Sequence, residues 1–324
     1  MDENKRFYLK LSLILAVIFF IWISGNEKIT APETAVKKSP AENKPAALVN
    51  FSPAILDVFD DSKNTLPKRD WSVPYLELQA QAALAIKTDG SRVYYNKNIE
   101  IQRSIASLTK LMTVIVVMEN YQPTADQPGA GDLDEIVTIP IEAVKREGSR
   151  GDLRAGEKIT VRSLLDIMLI ESSNDAAFAL AQQKNNFVSL MNKKAEELGL
   201  SGTHFTNPDG LDSPNNHSSA LDIAKIFGYL INKHPEVFEI LKTKNMVVYS
   251  ADGKIEHRLE NTNELLGKTD EIIAGKTGFT DEAGGSLILL IKNDIITVVL
   301  GSPNRFEESE KLINWLKTAY IWEK

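Results

Sequence analysis

Three short segments carry side chains that can do chemistry together: Ser107-Leu-Thr-Lys110, Ser172-Ser-Asn174 and Lys276-Thr-Gly278. Ser107 and Lys110 lie three positions apart, and on a helix that spacing sets both on one face within hydrogen-bond reach. A serine hydroxyl is a weak nucleophile until a base takes its proton. Lysine can be that base only when its amine is neutral, which requires burial or a neighbouring positive charge. Ser107 heads the only S-x-x-K match in the chain. S-x-N, by contrast, also occurs at Ser24, Ser62, Ser213 and Ser302. Only Ser172 falls between two amphipathic helical patterns, where a short connection can push polar side chains into a cleft. The same residues also suit a helix N-cap, through Ser173 or Asn174. Lys276 and Thr277 offer a charge and a hydroxyl to a carboxylate. Gly278, on a strand, lets a ligand backbone lie close because no Cβ intervenes.

The flanking patterns name the elements that must position these groups. Residues 76–98 predict a hairpin about Asp89-Gly90, a pair that favours tight primed turns. Apolar residues at three-four spacing predict a helix carrying Ser107 near its start. Four more helical patterns follow between residues 160 and 232, with a turn at Asn207–Leu211. A second hairpin about Asp252-Gly253, three apolar strands between 271 and 302, and an amphipathic helix over 305–322 complete the chain. Strands at both ends enclosing a run of helices predict an α/β (α+β) domain. Its antiparallel sheet is flanked by helices and carries an inserted helical lobe.

Ahead of that domain the chain reads differently. Residues 7–24 are almost wholly apolar and follow Lys5 and Arg6, with Lys10 able to snorkel. This predicts a cytoplasmic tip and transmembrane helix over 1–25, with the remainder outside the cytoplasmic membrane and a cleaved signal peptide of similar layout as the alternative. Residues 26–73 are rich in Pro, Ala, Lys and Glu without periodicity, which predicts a disordered linker. The catalytic domain is then expected over 74–324. A net charge of −7 argues against nucleic acid as a partner. The absence of cysteine excludes disulfides and thiolate chemistry. The four histidines never fall three or four apart, so no metal or other cofactor is expected.

The three segments, in this order, form the signature of penicillin-binding proteins and serine β-lactamases. From about Pro74 onward the chain resembles the low-molecular-mass D-alanyl-D-alanine carboxypeptidases, in IASLTKLMT, LLDIMLIESSNDAAFALA, the stretch from Phe187 through NPDGL to Ala224, and IIAGKTGFTDEAGGSL. The resemblance implies hydrolysis of the terminal D-alanyl-D-alanine bond of peptidoglycan stem peptides, with β-lactams as covalent inhibitors. It makes Ser107 the acylated nucleophile and Lys110 its base. Ser172 relays a proton to the leaving amine, and Asn174 binds the substrate amide. Lys276 keeps Lys110 neutral and, with Thr277, holds the terminal carboxylate. The backbone N–H groups of Ser107 and Phe279 form the oxyanion hole, and Arg305 lies near the carboxylate. Ser173 departs from the glycine common in the family. No E-x-x-L-N-like segment lies between Asn174 and Lys276, so a β-lactamase is a poorer fit. A D,D-endopeptidase and a non-catalytic penicillin-binding sensor are the alternatives. The family's usual C-terminal β-domain is not expected here.

Overall fold

The computed structural model describes residues 67–120 and 133–322. Strands β1 (Lys68–Arg69), β2 (Ala82–Lys87) and β3 (Val93–Lys97) come first, then a 3₁₀ turn, Ala106–Thr109, running into α1 (Lys110–Asn120). Next are β4 (Ile136–Thr138), α2 (Ile141–Val144), β5 (Lys158–Thr160), α3 (Val161–Ile170), α4 (Asn174–Ala181), α5 (Phe187–Glu197), α6 (Ala220–Lys233) and α7 (Pro235–Lys242). The chain closes with β6 (Asn245–Tyr249), β7 (Glu256–Glu260), β8 (Ile272–Thr280), β9 (Gly284–Ile291), β10 (Ile295–Ser302), α8 (Arg305–Ala319) and β11 (Tyr320–Ile321).

Five strands form the central sheet in the order β3-β2-β10-β9-β8, and every neighbouring pair is antiparallel. Strand side chains alternate between the two faces, and both faces here are apolar. Ala82, Leu84 and Ile86 of β2, with Ile288, Leu290, Ile296, Val298 and Leu300, pack into the helical core. Their neighbours Ala83, Ala85, Leu287, Leu289, Ile291, Ile295 and Val299 pack on the other face, against Leu312, Ile313, Trp315 and Leu316 of α8. A one-residue slip would exchange the two sets. The result is a mixed α/β fold with helices on both faces of an antiparallel sheet, as expected.

Helix α1 runs through the helical core, and every residue from Lys110 to Met118 is buried. That burial explains why its sequence is apolar all round rather than amphipathic. Side-chain caps mark three of the other starts. Thr160 accepts from the Ser163 N–H, Ser173 from Ala176 and Ser219 from Asp222, each at the head of a helix. The site lies where the nucleophile turn and the start of α4 meet β8, the edge strand of the sheet.

Several elements escaped sequence reading. The packed chain begins before Pro74: β1 pairs with β11, and the Arg69 guanidinium lies against the rings of Trp71, Trp315 and Tyr320. A two-residue strand has no readable periodicity, and its anchor is a tertiary cation–π cluster. The β4–β5 pair and α7 were missed for the same reason of brevity. The expected membrane span and most of the expected linker lie outside the described residues. Among the described residues no helix is long and apolar enough to cross a membrane.

Candidate active site

The nucleophile turn enters α1 through an unusual backbone step. Ala106 has φ +47°, in the left-handed region that non-glycine residues avoid. Such a conformation costs on the order of 1–3 kcal/mol and persists only where the surroundings enforce it. Here two loops enforce it. Gly210, itself at φ +84°, lies so close that a Cβ would overlap the Ala106 carbonyl. Gly278 of β8 lies where a Cβ would stand 2.9 Å from the Ile105 carbonyl and 3.2 Å from the Ser107 nitrogen. Glycine at Gly278 therefore serves first to seat β8 against the nucleophile turn.

Lys110 is fully buried, and its Nζ donates to Ser107 Oγ at 2.9 Å, Asn174 Oδ1 at 2.6 Å and the Asp209 carbonyl at 2.5 Å. Three acceptors match the three protons of an ammonium. Burial nevertheless pushes its pKa down to about 7; the charges of Asp209 and Asp175 oppose the fall and that of Arg146 favours it. A large share of Lys110 is thus neutral at neutral pH, beside the hydroxyl it must deprotonate.

Lys276 is also buried, and its Nζ donates to Ser172 Oγ at 2.7 Å and to the Thr277 carbonyl at 3.1 Å. Burial, then the charges of Lys110 and Arg305, hold it well below the ordinary lysine range. Removal from water is the main cause at Lys110, with Arg146 a nearby cation, and the repulsion between the two buried lysines disfavours their both being charged.

Ser172 adopts φ +63°, which turns the chain between α3 and α4 and presents its hydroxyl to Lys276. Ser173 is the N-cap of α4, fully buried, and hydrogen-bonds the Asp175 carboxylate. The family's glycine position is therefore occupied by a supporting residue beneath the cleft. Asn174 opens α4 with its N–H on the Ser149 carbonyl at 2.8 Å and its Nδ2 on the Glu147 carbonyl at 2.7 Å. One amide proton remains for a ligand. Thr277 shares a 2.6 Å hydrogen bond with Thr262. Phe279 is 60% exposed at the cleft, with the Arg305 guanidinium 5.9 Å from its ring. All nine expected site residues thus come together around one cleft.

Other residues of the site were not foreseen. Asp209, buried, accepts on its Oδ2 from both Nε, at 2.8 Å, and Nη2 of Arg146. That pair orients the Asp209 carbonyl toward Lys110. The NPDGL turn was the only signal for Asp209, and nothing in the sequence links it to Arg146, 63 positions away. At the rim, the Asp212 carboxylate accepts from Ser104 at 3.1 Å and Thr280 at 2.7 Å, tying the nucleophile wall to the end of β8.

Comparison with known proteins agrees with this geometry. Residues 68–304 match the family described as D-alanyl-D-alanine carboxypeptidase. The D-alanyl-D-alanine endopeptidase of Pseudomonas aeruginosa is 33% identical over 257 residues, covering 76% of this chain and 79% of that protein. The carboxypeptidase DacF of Bacillus subtilis is 33% identical, covering 75% of this chain but 62% of the relative. For DacD of Escherichia coli the identity is 35%, with 66% and 57% covered. The chain therefore spans about three fifths of those two carboxypeptidases. Among solved structures, the Streptomyces K15 DD-transpeptidase is 30% identical with a TM-score of 0.68, covering 76% of this chain and 100% of that one. With the serine–lysine pair, the S-x-N turn and the K-T-G edge strand in one cleft, and the family match across most of the described fold, this chain belongs to the D-alanyl-D-alanine carboxypeptidase family of low-molecular-mass penicillin-binding proteins.

Proposed function

We propose that this protein is a serine D-alanyl-D-alanine carboxypeptidase that trims peptidoglycan stem peptides through an acyl-enzyme. The observation that carries this reading is the buried Lys110 amine, with a pKa near 7, hydrogen-bonded to Ser107 Oγ at 2.9 Å. Neutral Lys110 takes the Ser107 proton as Oγ attacks the carbonyl carbon of the penultimate D-alanine. The oxyanion is met by the backbone N–H groups of Ser107 and Phe279; such donors each contribute on the order of 3–4 kcal/mol. The C–N bond breaks as the leaving D-alanine nitrogen takes a proton from Ser172, which is hydrogen-bonded to Lys276 and regains its own proton from protonated Lys110, leaving that amine neutral again. Water, deprotonated in turn by Lys110, then releases the acyl group.

Strand β8 sits at the edge of the sheet, so an extended peptide can lie along it as an added strand. Asn174 Nδ2 on the opposite wall offers a donor to its amide. Thr277, the charge of Lys276 and Arg305 serve the terminal carboxylate. β-Lactams, which present an amide in the same place, are expected to acylate Ser107 and persist. The apolar segment over 7–24 supports a single-pass anchor in the cytoplasmic membrane. The domain then acts on the extracytoplasmic side at the end of the linker.

Intact mass after exposure to benzylpenicillin tests this. A one-equivalent adduct on the parent and none on Ser107→Ala is expected; a folded parent that neither forms an adduct nor consumes the antibiotic overturns it. A second reading, D,D-endopeptidase, is favoured by one observation: the Pseudomonas endopeptidase is matched over 79% of its length, against 62% and 57% for the two carboxypeptidases. Release of D-alanine from a pentapeptide, compared with cleavage of a cross-linked dimer, separates the two.

A further inference from the structure

Two of the four histidines face each other on a β-bridge that the catalytic reading does not use. His204 and His217 are antiparallel partners and exchange both backbone hydrogen bonds, at 2.9 and 3.0 Å. Directly opposed residues project to the same side of a ladder, and the two ring centroids are 6.3 Å apart. The polar contacts of the rings mirror one another. His204 Nδ1 lies 2.8 Å from the Asn215 carbonyl, and His217 Nδ1 lies 3.1 Å from the Gly202 carbonyl. Each ring thus reaches the carbonyl two residues ahead of the opposite histidine.

A carbonyl only accepts, so both Nδ1 atoms must carry the proton and donate. In the neutral imidazole the remaining lone pair then sits on Nε2. The two nitrogens lie on opposite sides of a ring, so anchoring Nδ1 at the backbone turns Nε2 away from it. Histidines that bind metals share this arrangement: the far N–H goes to a backbone carbonyl, which fixes the tautomer and raises the basicity of the ligating nitrogen. The platform beneath is held independently. Thr203 and Ser218, one rung along, share a 2.7 Å hydrogen bond, and Asp222 accepts from Gly202 N–H at 2.8 Å and from the Thr203 hydroxyl at 2.9 Å. His204 is exposed and His217 half-buried, so the pair is open to solvent.

We propose that His204 and His217 form a two-histidine chelate for a borderline divalent ion of the zinc, nickel or copper class, with water completing the coordination. At a metal–nitrogen distance of about 2.0–2.1 Å, a tetrahedral ion holds its two nitrogens about 3.3 Å apart. With centroids 6.3 Å apart, the rings must turn toward each other to close on an ion. Among the described residues no group of three or more histidine and acidic side chains is placed to hold a metal. The site is therefore weak and exchangeable rather than a buried structural centre. Hard ions such as Mg²⁺, which take oxygen ligands, are excluded by the donor set. The ion would staple two strands that support the catalytic cleft. One runs on to Asp209, whose carbonyl accepts from Lys110, and the other carries Asn216, which donates to Thr109 in the nucleophile turn at 3.2 Å.

The test is calorimetric titration of the untagged full chain with ZnCl₂, beside His204→Ala and His217→Gln, with benzylpenicillin acylation confirming that each variant is folded. One ion per chain is expected, with affinity falling tenfold or more in either variant. MgCl₂ should give no binding. At hundredfold saturation the thermal midpoint of the parent should rise by about 5–10 °C, and that rise should vanish in both variants. If Zn²⁺ binds the folded variants as tightly as the parent, the ion sits elsewhere and the proposal is overturned. Absence of stoichiometric binding to the parent at millimolar ZnCl₂ overturns it equally. Variants that lose stability to the same extent with and without Zn²⁺ would show the pair to be a structural bridge only.

Discussion

At the scale of single residues, catalysis rests on keeping one amine deprotonated inside the protein. Lys110 is neutral above about pH 7 because burial disfavours its charge. The second-order rate of acylation by benzylpenicillin should therefore rise with pH through 7 and level off above it. At pH 6 it should be about tenfold below the plateau, since only about a tenth of the amine is then free. A stopped-flow pH profile checks this; a flat profile from pH 5.5 to 8.5 would remove Lys110 as the base. Arg146 acts through Asp209 rather than on substrate. Arg146→Ala frees the Asp209 carboxylate, whose charge already raises the Lys110 pKa, and removes a cation that lowers it. Both changes have the same sign. The variant's acylation midpoint should move to higher pH, with the plateau changed less than the midpoint. A profile lowered uniformly at every pH would make Arg146 a purely structural residue.

At the scale of elements, the cleft depends on close packing of three backbones: the nucleophile turn, the NPDGL loop and β8. Gly210→Ala should reduce acylation by about 10²-fold, because a misplacement near 1 Å at the reacting atoms costs that much. It should also destabilise, since alanine at φ +84° is strained as well as crowded. Gly278→Ala meets only the Ile105 carbonyl below 3 Å and should have the milder stability effect. Single-turnover acylation rates and urea midpoints report the two quantities separately. Ser173 tests another element. As the N-cap of α4 it should cost about 1 kcal/mol on replacement by alanine. A larger cost would fall on its buried contact with Asp175, which also receives the Gly151 N–H at 2.9 Å.

At the scale of the whole molecule, the aromatic cluster on α8 and the catalytic groups sit on opposite faces of the sheet. Trp315 of α8 packs against Tyr75, Tyr95, Tyr320 and Arg69, and its Nε1 donates to the Pro74 carbonyl at 2.8 Å. Trp315→Ala should cost about 3–5 kcal/mol of stability, while acylation by benzylpenicillin at 15 °C stays near the parent rate. A parallel loss of acylation in the folded variant would couple the two faces. The buried base also leaves a signature on folding. Lys110 binds its proton up to about pH 10.5 when unfolded but only to about 7 when folded. Between those values the unfolded state holds more protons, so this group makes stability rise with pH. Below pH 7 its burial penalty is fully present. Glu171, raised to about pH 7 from 4.5 by burial, has the opposite slope between those two values. Glu171→Gln should therefore melt with the parent at pH 4.5 and above it at pH 8.

The order Ser107-Lys110, Ser172-Asn174, Lys276-Gly278 and the helix and strand periodicities around it were legible in one dimension. A helical i, i+3 pair, alternating apolar strands and Asp-Gly turns are local rules that need no knowledge of distant residues. Those rules determined the fold class, whereas the roles of the nucleophile, its base and the residues around them came from the family resemblance that the three segments carry. They did not determine why the base is neutral. The pKa of Lys110 is set by the depth at which α1 is buried and by Asp209, Asp175 and Arg146, which the chain brings to it over separations of up to 99 residues that leave no pattern. The strained φ at Ala106 and Ser172, the seating of Gly210 on the nucleophile turn and the facing of His204 by His217 are likewise products of long-range packing. Local sequence selects the elements, whereas desolvation and close contact between elements exist only once they are assembled.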